Sequence, residues 1–240
     1  MIQSPVVICA TAVYVVLFLL FSWATYSPDA AAISAVGPGS HRSGEASAAA
    51  SLQERCSKVV EMTLHSWRGY ARGAWGHDEL RPATNGSLDK WGHTAVTAFD
   101  ALGTLIIMGL RAEEQEALQM IKEAEFSPEW KASVFETNIR HVGSMLSAHA
   151  LTDDKYFLTK AVVDGLMGGF NQATGIAYHQ VGFGTHQREN EGWCNHKTIL
   201  AEAGTLQLEF RYLSQELQNG KYGRQAEKFT DHLLDLVANG

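Results

Sequence analysis

The feature that most constrains this chain is a succession of segments with helical hydrophobic spacing, joined by short loops. In "LQERCSKVVEMTLHSWRGYA", which starts at residue 52, Val59, Met62, Leu64 and Trp67 stand among charged residues at near-helical intervals. The stretches 92–110, 133–151, 154–169, 197–217 and 221–238 have the same character, and 111–126, "RAEEQEALQMIKEAEF", reads as a solvated outer helix. No long alternating pattern competes with them. The exception is 172–195, "QATGIAYHQVGFGTHQRENEGWCN", whose glycines and short β-like pieces predict a hairpin or extended loop. Successive helices on short loops pack as helical hairpins. The apolar stretches 92–110, 133–151 and 197–217 are expected to face inward, with 111–126, 154–169 and 221–238 outside. The class is therefore all-α, an α/α arrangement over residues 52–240.

The front of the chain differs. Residues 5–23, "PVVICATAVYVVLFLLFSW", form an uncharged apolar run of nearly transmembrane length, so 1–26 read as an uncleaved signal anchor in preference to a cleaved signal peptide. Residues 27–51 are small and Pro/Gly/Ser-rich, too poor in large apolar groups to bury a core, and read as a flexible stem. A net charge of −7 supplies no basic face for a nucleic-acid partner. Cys9 lies in the apolar run; Cys56 and Cys194 are a pair that an oxidising lumen would allow to join, and neither has metal-ligand spacing. "NGS" at Asn85 matches a glycosylation acceptor. "HDEL" at 77–80 is internal and so is no retention signal.

Polar residues recur inside the inward segments. Asp78, Glu79 and Arg81 crowd one loop beside Pro82. Asp100 sits in "TAFDALGTLIIMGL", where an acid is costly to bury unless bonded. Glu136 and Arg140 are four apart and share a helical face; an ordinary ion pair worth a few tenths of a kcal/mol explains that as readily as a site does. Glu202 and Glu209, seven apart, share a face of another apolar helix. Acids drawn from several inward helices suit a carboxylate-lined pocket, and glycoside hydrolysis commonly uses two carboxyls flanking the scissile bond.

With these residues in place, the chain resembles the class I α-mannosidases, glycoside hydrolase family 47. The matching segments are "YARGAWGHDELRP" (70–82), "DALGTLIIMGL" (100–110), "VFETNIRHVGSMLSAHALTDDKYFLTKA" (134–161), "FNQATGIAY" (170–178) and "ILAEAGTLQLEFRYLS" (199–214), in the family's order. The resemblance implies an (α/α) barrel of helical hairpins, of which this chain holds about half, behind a transmembrane helix. It implies an inverting hydrolase that trims α-1,2-linked mannose from N-linked high-mannose glycans. It places the chain on the luminal side of the endoplasmic reticulum or Golgi membrane, single-pass. Glu136 falls on the family's general acid, Arg140 on the arginine beside it, and Glu202 on a substrate-site glutamate of the trimming enzymes. Asp78, Glu79 and Asp100 fall in motifs near the pocket. A calcium ion is implied, with its threonine, like the catalytic base, expected beyond Gly240, so the chain by itself is expected to be a truncated form. The alternative is a non-catalytic mannose-glycan-binding protein of the degradation-enhancing type. Gly103 stands where the family usually has a second acid, and His93 where it usually has a small residue.

Overall fold

The structure is a computed structural model that describes residues 41–160 and 162–239. The apolar run and most of the stem lie outside these residues. Among the described residues no helix is long and apolar enough to cross a membrane.

The first helix, α1 (His41–Gly73), begins within the stretch read as stem. Its opening includes "EASAAA", and alanine is the best helix former, so a segment too small to build a core is still able to wind. The face it buries is Trp67 and Tyr70, with Ala74 just past its end, whereas Val59 and Met62 are exposed. The hydrophobic spacing located the helix but chose the wrong stripe in its middle.

After a short hairpin, β1 (Glu79–Arg81) with β2 (Gly86–Leu88), come α2 (Val96–Met108) and α3 (Arg111–Glu123). Gly109, at φ 68°, ends α2 by donating its N–H back to Ile106 and Leu105, a turn that suits glycine. The expected single helix over 133–151 is composite. Strand β3 (Lys131–Ser133) leads into α4 (Val134–Thr137), a π-helical turn (Asn138–Val142) and α5 (Gly143–Thr152). The segment 154–169 is also broken, into α6 (Tyr156–Lys160), α7 (Val163–Leu166) and a 3₁₀ turn (Met167–Gly169). Strand β4 (Gln180–Gly182) pairs antiparallel with β3 and with β5 (Arg188–Glu189), which is the hairpin expected in 172–195. The partnership with β3 was not foreseen, and these two small sheets qualify the all-α reading. The chain ends with α8 (Leu200–Thr205), α9 (Gln207–Glu216) and α10 (Lys221–Asn239).

The helices pack as hairpins: α2 with α3, and α9 with α10. Helix α5 stands between α2 and α9 and joins the two parts of the core. Its Met145 and Ala148 pack with Phe99, Leu102, Met120 and Ile121, while Leu146 packs with Phe170, Phe210 and Leu213. Phe210 is fully buried, and truncating such a side chain costs about 3–5 kcal/mol. The row α2–α5–α9 is thus backed by α3 and α10, as the inward and outward assignment anticipated. Ile107 on α2 and Leu208 on α9 are nonetheless 73% and 76% exposed, so the row keeps an open apolar face.

Candidate active site

The site is built on the loop that precedes α2. Gly92, His93 and Ala95 all have positive φ (85°, 59° and 56°), a backbone that side chains other than glycine rarely adopt. At Gly92 a Cβ would lie 2.6 Å from Trp130 Nε1, so the loop also passes too close to that ring for a side chain. Asp78 holds this path. It is fully buried, and its carboxylate accepts the backbone N–H groups of Trp91 (2.7 Å), His93 (3.0 Å) and Thr94 (2.7 Å) together with the Thr94 hydroxyl (3.3 Å). The Asp78 backbone N–H in turn donates to Asp89 Oδ1 at 2.9 Å. Asp78 was expected among the sugar-binding acids. Buried, with both oxygens accepting from the loop, it organises that loop.

What the loop presents is Trp91. Its indole N–H donates to Glu79 Oε1 at 3.2 Å, and its ring lies 5.2 Å from Arg140 Cζ, a cation–π contact. Arg140 Nε donates to Glu136 Oε2 at 2.9 Å and Arg140 Nη1 to Asp100 Oδ2 at 2.8 Å. The four-residue spacing therefore does make an ion pair, but one that bridges to a third helix. The side chains of Glu136, Arg140 and Asp100 are 28%, 34% and 41% exposed, neither sealed in the core nor loose on the surface. Ser133 fixes the start of α4 by accepting the Glu136 N–H. Burial raises the Asp100 pKa and repulsion from Glu136 adds to this; Arg140 opposes both without overcoming them. Five predicted residues, Asp78, Glu79, Asp100, Glu136 and Arg140, are thus joined through Trp91 and Arg140.

The π-helical turn supports this cluster from behind. Such turns occur often at functional positions. Here it buries Asn138 and His141 together: Asn138 Nδ2 donates to Glu209 Oε2 at 2.8 Å, and His141 Nε2 meets Thr94 Oγ1 at 2.8 Å. His141 packs against Phe99, Phe126 and Trp130. Burial, with the charge of Arg140, pushes its pKa down to about 3, so it is neutral. Glu202 is held separately, by His179 Nδ1 at 2.9 Å, and His179 meets the exposed ring of Trp193 edge-on. Sequence reasoning missed Trp91, His141, His179 and Trp193, since a lone aromatic or imidazole carries no spacing signal.

Residues 62–239 match glycosyl hydrolase family 47. The chain belongs to that family. Among similar proteins are the mannosyl-oligosaccharide 1,2-alpha-mannosidase MNS1 of Arabidopsis thaliana, 40% identical over 75% of this chain and 33% of that protein, and the endoplasmic reticulum mannosyl-oligosaccharide 1,2-alpha-mannosidase of Homo sapiens, 38% identical over 77% of this chain and 27% of its own length. The alpha-1,2-mannosidase from Trichoderma reesei superposes with a TM-score of 0.65 at 27% identity, covering 76% of this chain and 41% of that one. The family 47 chain therefore spans between about a quarter and a third of the length of the curated relatives it matches.

Asn85 is exposed in the turn between β1 and β2, at φ 53°, a place open to a modifying enzyme. Cys56 and Cys194 are both free thiols. The calcium threonine was expected beyond Gly240, not among the residues described. Among the described residues the group of three potential metal ligands is His77, Asp89 and His93, and a hard cation that wants six to eight oxygens is poorly served by two imidazoles.

Proposed function

We propose that this chain supplies the N-terminal part of a catalytic domain that removes α-1,2-linked mannose from N-linked high-mannose glycans, with inversion and with Glu136 as general acid. The observation that carries the proposal is the Glu136–Arg140–Asp100 bridge under the Trp91 ring. Glu136 is partly open to solvent and its carboxyl is oriented by the Arg140 guanidinium, which supports placing it beside a departing glycosidic oxygen as the group that passes the proton. In an inverting enzyme a second carboxyl, about 6.5–9.5 Å away, activates a water on the opposite face of the sugar. Asp100, with its raised pKa, and Glu79 line the same cluster and suit hydroxyl recognition. Glu202, with His179 and the exposed Trp193, offers a second sugar contact of the acid-plus-aromatic kind. The hairpin layers α2/α3 and α9/α10 around α5 support the reading of the chain as part of an (α/α) barrel. Calcium is given no step here. A luminal chain anchored in the endoplasmic reticulum or Golgi membrane by residues 1–26 is consistent with this substrate.

A chimera tests the proposal: residues 62–239 replace the matching segment of the Arabidopsis relative, and mannose release from a high-mannose glycan is followed. The expected result is release by the parent chimera and a loss of at least about 100-fold in Glu136→Gln with glycan binding retained. Undiminished hydrolysis by Glu136→Gln would remove Glu136 from the acid's role. A parent chimera that binds glycan and releases no mannose would favour the glycan-binding alternative.

A further inference from the structure

Apart from the Glu136–Arg140–Asp100 bridge, three metal-ligating side chains converge at the loop that carries Trp91. His77 Nδ1 lies 2.8 Å and His93 Nδ1 2.9 Å from the same oxygen, Asp89 Oδ2. The three donor atoms all lie within 4.8 Å of one another, and the two imidazole rings meet edge-on with centroids 4.9 Å apart. We propose that His77, Asp89 and His93 form a binding site for a zinc-class divalent cation, which clamps the 89–94 loop and so the position of Trp91.

Several features separate this trio from a chance surface pairing. Each ligand is held from behind by a group the trio does not contain. The His77 carbonyl accepts the hydroxyl of buried Tyr70 at 2.6 Å. Asp89 Oδ1 accepts the Asp78 backbone N–H, which leaves Oδ2 turned toward the imidazoles. The backbone N–H of His93 is fixed by the buried Asp78 carboxylate, and this residue keeps a positive φ that costs roughly 1 kcal/mol or more. A hydrogen-bonded pair needs one imidazole; here two approach one oxygen through like atoms, each of which would present a lone pair once its proton leaves.

The chemistry selects the ion. Zinc takes imidazole nitrogens at about 2.0–2.1 Å and carboxylate oxygens at about 2.0–2.2 Å, and three protein ligands with an open fourth position is an ordinary arrangement for it. The imidazoles are partly exposed (side chains 38% and 62%), so small side-chain rotations suffice to admit the ion, and water has access to the fourth position. Magnesium and calcium prefer all-oxygen shells and are excluded on donor type. Binding a cation here ties His93 to Asp89 and His77, two and fourteen positions from Trp91, and thereby restrains the ring that lies against Arg140.

The test uses the full chain, chelator-stripped and with its cysteine thiols blocked, titrated with Zn²⁺ and separately with Co²⁺. The expected result is one zinc per chain at this site, bound at least about 10-fold more weakly by His93→Ala and by Asp89→Asn, and unchanged by His65→Ala, an exposed histidine elsewhere on α1. Zinc should raise the unfolding temperature of the wild type and not of His93→Ala, and a thousandfold excess of Ca²⁺ should not compete. Co²⁺ should give visible ligand-field bands that the His93→Ala variant lacks, a readout that does not depend on affinity. Zinc affinity and cobalt spectrum unchanged in both variants, or no saturable zinc binding by the wild type, would overturn the proposal. Neither result bears on the mannosidase reading, which uses none of these side chains.

Discussion

Asp78→Ala is the sharpest structural perturbation the site offers. Asp78 is fully buried, and among the described residues its carboxylate has no salt bridge; its charge is balanced by the N–H groups of Trp91, His93 and Thr94 at 2.7–3.0 Å. Hydrogen bonds to a charged group contribute about 1.5–3 kcal/mol each, so three give roughly 5–9 kcal/mol in gross terms. Against that stands the desolvation of a buried carboxylate, several kcal/mol, which the alanine variant no longer bears. The variant leaves three donors unpaired, that of Thr94 buried and those of Trp91 and His93 partly buried, in a loop with three positive-φ residues, and the net loss should be about 3–5 kcal/mol. Asp78→Asn keeps one acceptor and turns an NH₂ against donors, for a loss of about 2–3 kcal/mol. Urea unfolding followed by far-UV circular dichroism measures both, read as a fall in midpoint at unchanged slope. A loss below about 1 kcal/mol in Asp78→Ala would refute the view that this carboxylate holds the loop.

Other outcomes follow from the same geometry. His141 is buried and neutral in the fold, with a pKa near 3 against about 6.5 unfolded. The unfolded state therefore binds a proton that the folded state refuses as pH falls from 6.5 toward 3. Stability should drop by about 1.6 kcal/mol between pH 6.5 and 5 from this group alone, and the slope near pH 5 should be shallower by about one proton in His141→Gln; denaturant midpoints across that range check it. Gly103 lies inside α2, where a Cβ would meet Ser147 Oγ at an ordinary 3.4 Å, so Gly103→Ala should raise stability by about 0.5–1 kcal/mol, visible as a higher thermal midpoint.

The parts of the fold that the sequence disclosed are those governed by periodicity. The α2/α3 pair and α10 follow from apolar spacing because each buries one continuous stripe. The composite run 131–152 did not, because its π-helical turn depends on where Asn138 and His141 find partners, Glu209 and Thr94, 71 and 47 residues away. The Glu136–Arg140 pair was legible at i,i+4, and Asp100 stood out as an acid in an apolar helix, but nothing local said that one guanidinium would join them. The part Asp78 plays in the loop was hidden for a related reason. A carboxylate in a motif near a pocket looks the same in sequence whether it faces a sugar or gathers backbone N–H groups, and only burial separates the two. The helical start at His41 was hidden by composition: small residues argue against a core, not against a helix.

The central claim is that Glu136 donates the proton to the leaving sugar, and leaving-group dependence tests it most directly. In the chimera that carries residues 62–239, Glu136→Gln should lose about 10²–10⁴-fold on an α-1,2-linked mannose disaccharide, whose departing oxygen needs a proton. The same variant should lose little on α-mannosyl fluoride, whose fluoride departs without such help. Equal losses on the two substrates, or none on the disaccharide, would contradict the assignment.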